Sequence, residues 1–271
     1  MASGYVDING EKLYYEEAGE GEALVLVHAG FVDSGMWDAQ WEAFAQRYRV
    51  IRFDMRGYGK SDTVKAPVSR RDDLYRLLKH LKVERAHLLG CSMGGEQVLD
   101  LALEHPELAK SLVLVSAVPS GFEMQGPPPP LVLEMMEAAQ SGDTAKTSEL
   151  QIRIWVDGPS RQPEQVDAAV RQRAAEMNRI PVERGTWAKA DMQPLNPLDP
   201  PAVGRLSEVN VPTLVIAGAF DDPEILRAAD VLAAEIPNAQ QVIIPDGAHV
   251  PNMEQPELFN RAVLDFLAGV G

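Results

Sequence analysis

The pentapeptide Gly90-Cys91-Ser92-Met93-Gly94 sets two potential nucleophiles, a thiol and a hydroxyl, side by side between glycines. An apolar run, AHLLG, leads into it and a helical pattern, EQVLDLALEH, leads away. A strand that turns sharply into a helix holds the residue at the turn in strained backbone angles. The positions two before and two after that residue must then lack bulky side chains. Centred on Ser92 those positions are Gly90 and Gly94; centred on Cys91 they would be Leu89 and Met93. The spacing selects Ser92 as the nucleophile of an acyl transfer and leaves Cys91 as a small buried side chain. The alternative is a packing turn without chemistry.

A serine hydroxyl needs a base to take its proton and an acid to orient that base. Of the five histidines, His80, His87 and His105 fall in helical or strand-starting segments that suit structural roles. His249, in DGAHVPN, follows the last apolar run in a loop kept narrow by Gly247 and Ala248, and is the expected base. The acid is sought in VIAGAFDDPE, which offers Asp221, Asp222 and Glu224. Asp222-Pro223 reads as a helix start, because Asp caps free amides and Pro fits a first turn. Asp221, three residues past the strand-ending Gly218 where the loop can turn its carboxylate toward His249, is the expected orienting acid, which gives the chain order Ser92, Asp221, His249. Donors to a developing oxyanion are expected from the amide of Met93 and from the loop His28-Ala29-Gly30-Phe31, at Gly30 with Phe31 as fallback. His28 is expected to hold that loop together.

The elements that must position these residues follow from hydrophobic periodicity. YVDI and KLYYEE alternate around Asn9-Gly10 and predict a hairpin. ALVLVHAG, YRVIRFD, AHLLGCS, SLVLVSA, TLVIAG and QVIIPD are apolar throughout, as strands buried on both faces of a parallel sheet are. Amphipathic segments at 72–83, 96–106 and 256–270 alternate with them, so the fold class is α/β with helices on both faces of the sheet. Sites in such sheets lie at the carboxyl ends of strands. Between Ser120 and Leu206 the rhythm stops. GPPPP (126–130) and MQPLNPLDPP (192–201) flank helical stretches, including LVLEMMEAAQS and EQVDAAVRQRAAEM, which predicts an inserted helical lid.

With 271 residues, 45% hydrophobic and 24% charged, the chain can bury a core of ordinary globular composition. Its net charge of −15 argues against nucleic acid and against anionic membrane surfaces as partners, because both attract Lys and Arg. The apolar runs are too short to span a bilayer. MASGYVDINGEKLYYEE has no basic region followed by an apolar one, so a cytoplasmic protein is expected. A single cysteine excludes an intrachain disulfide, and no Cys/His cluster suggests zinc.

Together, LVLVHAGFVDSGMW, VIRFDMRGYGKSD, HLLGCSMGG, TLVIAGAFDD and GAHVPNMEQPELF resemble, in order, the signatures of the α/β-hydrolase superfamily over nearly the whole chain. The resemblance is nearest to its small esterase and lactonase-like members. It implies an eight-stranded, mostly parallel sheet, a triad at strand ends, a helical cap after the sixth strand and no cofactor or metal. The core would comprise 1–121 and 205–271, and the cap 122–204. In DMRGYGKSD, Asp54, Arg56 and the glycines are expected to stabilise a loop. Half of the ten methionines lie in the inserted segment with Trp155 and Trp187, as an adaptable apolar wall or as simple packing. Phe31, Met135, Trp155, Trp187 and Val250 are the expected substrate contacts.

The expected activity is hydrolysis of small to medium carboxylic esters through an acyl-enzyme, by a monomer or homodimer. The alternatives are a lactonase of enol-lactone or acyl-homoserine-lactone type, a carbon–carbon hydrolase with the same triad, and a non-catalytic ligand-binding relative. An Asp nucleophile, as in haloalkane dehalogenases and epoxide hydrolases, is disfavoured by Ser92.

Overall fold

The chain opens as a hairpin of β1 (Ala2–Ile8) and β2 (Glu11–Ala18), with Ile8 opposite Glu11. Asn9 and Gly10, at φ 58° and 84°, supply its two left-handed turn residues. Six further strands follow: β3 (Ala23–Val27), β4 (Arg49–Phe53), β5 (Ala86–Cys91), β6 (Ala109–Val115), β7 (Thr213–Gly218) and β8 (Gln240–Ile244). They form one sheet in the order β1-β2-β4-β3-β5-β6-β7-β8, antiparallel up to the β2–β4 pair and parallel beyond it. This is the α/β-hydrolase sheet that the sequence leads one to expect. The computed structural model describes residues 2–126, 128, 131–192 and 194–270. Pro127, Pro129 and Pro130 of the first proline-rich flank and Gln193 of the second lie outside the described residues.

Every residue of β3, β5 and β7 is buried, which explains their unbroken apolar runs. Val25 and Val27 face a core cluster with α2 (Arg70–His80), α3 (Met93–Glu104) and α7 (Pro223–Glu235). Leu24 and Leu26 face the opposite cluster, with α1 (Asp38–Ala45) and α9 (Pro256–Ala268). Alternate residues of one strand thus pin helices to both faces of the sheet. The short helix α8 (Pro251–Glu254) leads into α9.

Between β6 and β7 the chain forms α4 (Val132–Ser141), α5 (Thr144–Ile152) and α6 (Ala168–Arg184). The sequence pattern places the start of α6 at Glu164, but Pro163–Gln165 is a separate 3-10 turn. Asp167 caps the helix instead, accepting from the Ala169 amide at 2.7 Å. Two π-helical turns, Arg153–Asp157 and Trp187–Asp191, each carry one indole toward the strand ends. Among the described residues no helix is long and apolar enough to cross a membrane.

Candidate active site

Ser92 sits between β5 and α3 with φ 54° and ψ −119°, a conformation L-residues rarely adopt. A Cβ on Gly90 would overlap the Gly94 carbonyl, and one on Gly94 would overlap the carbonyls of Val27 and His28. The two glycines flanking Ser92 are therefore required by close backbone approach, as the spacing implies. The Ser92 amide donates to the Val115 carbonyl at 2.8 Å, tying the turn to β6.

Ser92 Oγ lies 2.8 Å from His249 Nε2, and His249 Nδ1 lies 3.0 Å from both carboxylate oxygens of Asp221. With Nδ1–H donating to Asp221, the Nε2 lone pair is left to accept from the serine hydroxyl. Asp221 and His249 are buried. Asp222 caps α7, accepting from the Glu224 amide at 2.8 Å, so the two adjacent carboxylates divide into an orienting and a capping group. Cys91 is fully buried, its thiol facing the His249 carbonyl at 3.5 Å, and burial pushes its ionisation well above the ordinary thiol range. A thiolate is disfavoured there.

The histidine loop is braced by Glu254, which accepts from the Ala248 amide at 2.6 Å and pairs with Arg161 at 2.7 Å. Arg161 also donates to the Asp157 and Val156 carbonyls at 2.8 Å, joining this loop to the first π turn. Trp155 of that turn packs against the His249 ring at 4.7 Å between centroids, and its carbonyl accepts from the His249 amide at 3.3 Å. Phe31 flanks both rings, 6.4 Å from His249 and 6.5 Å from Trp155.

Three successive carbonyls of the loop after β3 are held by side chains from different places. His28 Nδ1 donates to Ala29 O at 2.8 Å, the Tyr58 hydroxyl reaches Gly30 O at 2.7 Å, and the Asn178 amide donates to Phe31 O at 2.8 Å. His28 Nε2 accepts from the Met55 amide at 2.9 Å, so its ring is neutral; burial holds its pKa down at about 4. Asp54 closes the neighbouring turn, accepting from the Ser34 amide at 3.0 Å and the Lys60 amide at 2.8 Å. A Cβ on Gly30 would meet the end of the Met93 side chain, which places the two expected oxyanion residues against each other.

Ser92 opens into a cavity of about 490 Å³ whose apolar wall includes Met93, Val118, Met124, Trp155 and Trp187. Its polar wall holds Arg70, Arg71, Glu96, Gln97, Asp100 and Asp191. Both arginines are engaged: Arg70 Nε donates to Asp191 at 2.9 Å, and Arg71 pairs with Glu104 at 2.5 Å and lies 3.9 Å from Asp100. Burial, then the nearby Asp100 and Asp191, push Glu96 up to about 7. Burial pushes Asp100 up to about 6, against the Ser120 hydroxyl that donates to it at 2.8 Å. A second, apolar cavity of about 110 Å³ is lined by Gly30, Tyr58, Met135, Thr147 and Trp187, so the Trp187 indole stands in both walls.

Met135, Trp155 and Trp187 thus face cavities at the site. Phe31 lies in the wall of neither and packs on His249 instead. Val250 needs correction: it lines neither cavity and is fully buried in the core cluster that contains Trp37 and Phe259, because the residue after His249 packs into the core on the α9 side of the sheet. The polar wall, Tyr58 and Arg161 escape sequence reading because the side chains that fix them lie far off in the chain: Asp191 for Arg70 and Tyr58, Glu254 for Arg161. Among the described residues no group of three His, Cys, Asp or Glu side chains could hold a metal ion.

The model of the family described as alpha/beta hydrolase fold matches residues 22–256. A 2-hydroxy-6-oxononadienedioate/2-hydroxy-6-oxononatrienedioate hydrolase of Burkholderia vietnamiensis (strain G4) is 32% identical over 94% of this chain and 91% of its own. The solved structure titled Est816, an N-acyl homoserine lactone degrading enzyme, superposes with a TM-score of 0.81 at 27% identity, covering 97% of this chain and all of that one. A thermophilic esterase from Thermogutta terrifontis superposes with a TM-score of 0.78 at 25% identity, covering 100% and 99%. A match across most of the chain, joined to the eight-stranded sheet, makes this protein a hydrolase of the α/β-hydrolase family.

Proposed function

We propose that this hydrolase cleaves carboxylic esters of small to medium acyl chains through an acyl-enzyme on Ser92. The observation that carries the reading is the continuous contact from Ser92 Oγ through the His249 ring to both oxygens of Asp221. His249 takes the serine proton as Oγ attacks the ester carbonyl, and Asp221 fixes the tautomer and stabilises the imidazolium. The amides of Met93 and Gly30 receive the oxyanion. His249 protonates the departing alcohol, then activates the water that releases the acid.

The helical segment 122–204 serves as a cap. Its Met135 and Trp187 make the small apolar cavity a seat for a short acyl chain. The larger cavity takes the alcohol side. A methylene in such an apolar pocket is worth about 1–3 kcal/mol, so chain-length preference is graded.

Carbon–carbon hydrolysis of a 2-hydroxy-6-oxo-dienoate is the second reading, favoured by the Burkholderia vietnamiensis relative. Against it stands the charge of the cavity. The dienedioate of the relative's name carries two carboxylates, while both arginines in this wall already face carboxylates and Glu96 adds another once it ionises near 7. Lactone cleavage, suggested by the Est816 likeness, uses the same triad.

The test is a panel of p-nitrophenyl esters of rising acyl length, matched lactones and a 2-hydroxy-6-oxo-dienoate, each with wild type and Ser92→Ala. The ester reading expects the highest kcat/KM on open-chain esters and loss of turnover in Ser92→Ala. A tenfold advantage for the dienoate or for lactones overturns the ester assignment. Unchanged ester turnover in Ser92→Ala overturns the mechanism. No labelling by a fluorophosphonate probe would favour a ligand-binding protein.

A further inference from the structure

The hydroxyl of Tyr58 touches both halves of the site. It lies 2.7 Å from the Gly30 carbonyl on the oxyanion loop and 3.0 Å from Asp191 Oδ2 at the end of the second π turn. Tyr58 is fully buried, its ring edge-on to His28 at 5.1 Å, and Arg70 lies over its face at 5.3 Å. Arg70 in turn donates to Asp191 Oδ1 at 2.9 Å and to the Arg56 carbonyl at 2.5 Å.

Glycine resists rotation of its flanking peptides less than any other residue. Both planes beside Gly30 are nevertheless pinned: the Ala29–Gly30 peptide by His28 on Ala29 O, and the Gly30–Phe31 peptide by Tyr58 on Gly30 O. The His28 contact is local to the loop. The Tyr58 contact is shared with Asp191, which belongs to the same π turn as Trp187.

The geometry points to Tyr58 as a positioning residue that couples the seating of the Trp187–Asp191 turn to the orientation of the Gly30 backbone. When the turn is docked, Asp191 and Arg70 hold the phenol in place and the phenol holds the Gly30 carbonyl. When it is displaced, the Gly30–Phe31 peptide, which carries the Phe31 N–H, loses its anchor, and Gly30 is held only on the side of its own N–H, by His28 on Ala29 O. The inference rests on the assignment above of the oxyanion to this loop, whose fallback donor, the Phe31 amide, lies in the peptide that Tyr58 holds.

Proton inventory sharpens it. A phenol has one proton, whereas a carbonyl and an ionised carboxylate both only accept. The single phenol proton is therefore shared between Gly30 O at 2.7 Å and Asp191 Oδ2 at 3.0 Å, and Asp191 is held at its other oxygen by Arg70. Burial raises Asp191 above the ordinary carboxyl range, against Arg70 and the Tyr58 hydroxyl, which favour its ionised form.

Four variants are measured with one p-nitrophenyl ester and with a boronic acid that forms a tetrahedral adduct on Ser92: Tyr58→Phe, Asp191→Ala, Asp191→Asn and the double variant Tyr58→Phe/Asp191→Ala. Tyr58→Phe is expected to lower kcat and boronate affinity about 10- to 100-fold, with KM changed less than threefold. Asp191→Ala should do the same, and the double variant should be no worse than either alone. Asn can donate to the phenol and still accept from Arg70, so Asp191→Asn should lose far less than Asp191→Ala. Thermal melts accompany each variant, and Asp191→Asn serves as the readout where Asp191→Ala does not fold.

The coupling is overturned if Tyr58→Phe leaves kcat and boronate affinity within twofold while Ser92→Ala abolishes turnover. It is also overturned if the losses at Tyr58 and Asp191 multiply, or if Asp191→Asn is as impaired as Asp191→Ala. If Ser92→Ala remains active, the catalytic reading itself fails, and that result is distinct from these.

Discussion

The indole of Trp155 lies 4.7 Å from the imidazole of His249, tilted by 37°, and the two residues are also joined through backbone, His249 N to Trp155 O at 3.3 Å. A residue of the inserted segment therefore fixes the ring expected to move the proton. Replacing Trp155 with Ala leaves space beside the imidazole and frees its orientation. We expect kcat/KM on a short ester to fall about tenfold, or ~1.4 kcal/mol of transition-state stabilisation, with Trp155→Phe keeping most of it. Trp155→Ala within twofold of wild type would show that the indole only lines the cavity.

Asp221 and Asp222 separate by role in a paired experiment. In Asp221→Asn the amide can donate to His249 Nδ1, which moves the ring proton to Nε2 and removes the acceptor that Ser92 Oγ faces at 2.8 Å. A loss of kcat on the order of 10⁴ is expected, with the fold retained. Asp222→Ala instead removes a helix cap, costing about 1 kcal/mol of stability and leaving kcat nearly unchanged. The two carboxylates exchange roles if the second variant, and not the first, loses turnover.

The strands were legible because β3, β5 and β7 are buried on both faces, a condition that leaves unbroken apolar runs. Ser92, Asp221 and His249 were legible because backbone approach demands glycine at two fixed positions and because strand-end loops follow in a set order. Val250 misleads for a simple reason: adjacency to His249 in sequence says nothing about which side of the loop a residue faces. The polar wall is illegible for a deeper one. Arg70 and Asp191 are 121 positions apart, and each alone reads as an ordinary surface charge. Nor does any local pattern mark the π turns that swing Trp155 and Trp187 over the strand ends.

Three glycines give a graded stability series. Gly94→Ala would press a methyl into the backbone carbonyls of Val27 and His28, which cannot yield, and should cost about 3 kcal/mol or more. At Gly204 nothing lies within 4 Å of an added Cβ, so Gly204→Ala should stay within about 0.5 kcal/mol of wild type. Gly30→Ala meets first the flexible end of Met93 and then its Cβ at 3.4 Å, and is expected to melt near wild type while losing kcat as the two oxyanion residues are pushed apart. Denaturant unfolding and ester kinetics on the same preparations separate the three outcomes.

Glu96 stands one helical turn beyond Ser92, its amide bonded to the Ser92 carbonyl at 3.0 Å, in the wall of the same cavity. Burial and the carboxylates of Asp100 and Asp191 raise it from 4.5 to about 7. Between those values the folded chain holds a proton that the unfolded chain has released, so this residue's effect on stability becomes less favourable as pH rises and is fully unfavourable above 7. Glu96→Gln, which cannot ionise, should therefore match wild type near pH 4 and be more stable than wild type at pH 8, read by denaturant midpoints. Ionisation also places a negative charge in the cavity, so KM for a carboxylate-bearing ester should rise from pH 6 to 8 in wild type and stay flat in the variant. A neutral ester of the same length should show no such rise. Lower stability of Glu96→Gln at pH 8 would mean that the ionised carboxylate has a favourable partner in the wall, and the acidic character assigned to this cavity would have to be withdrawn.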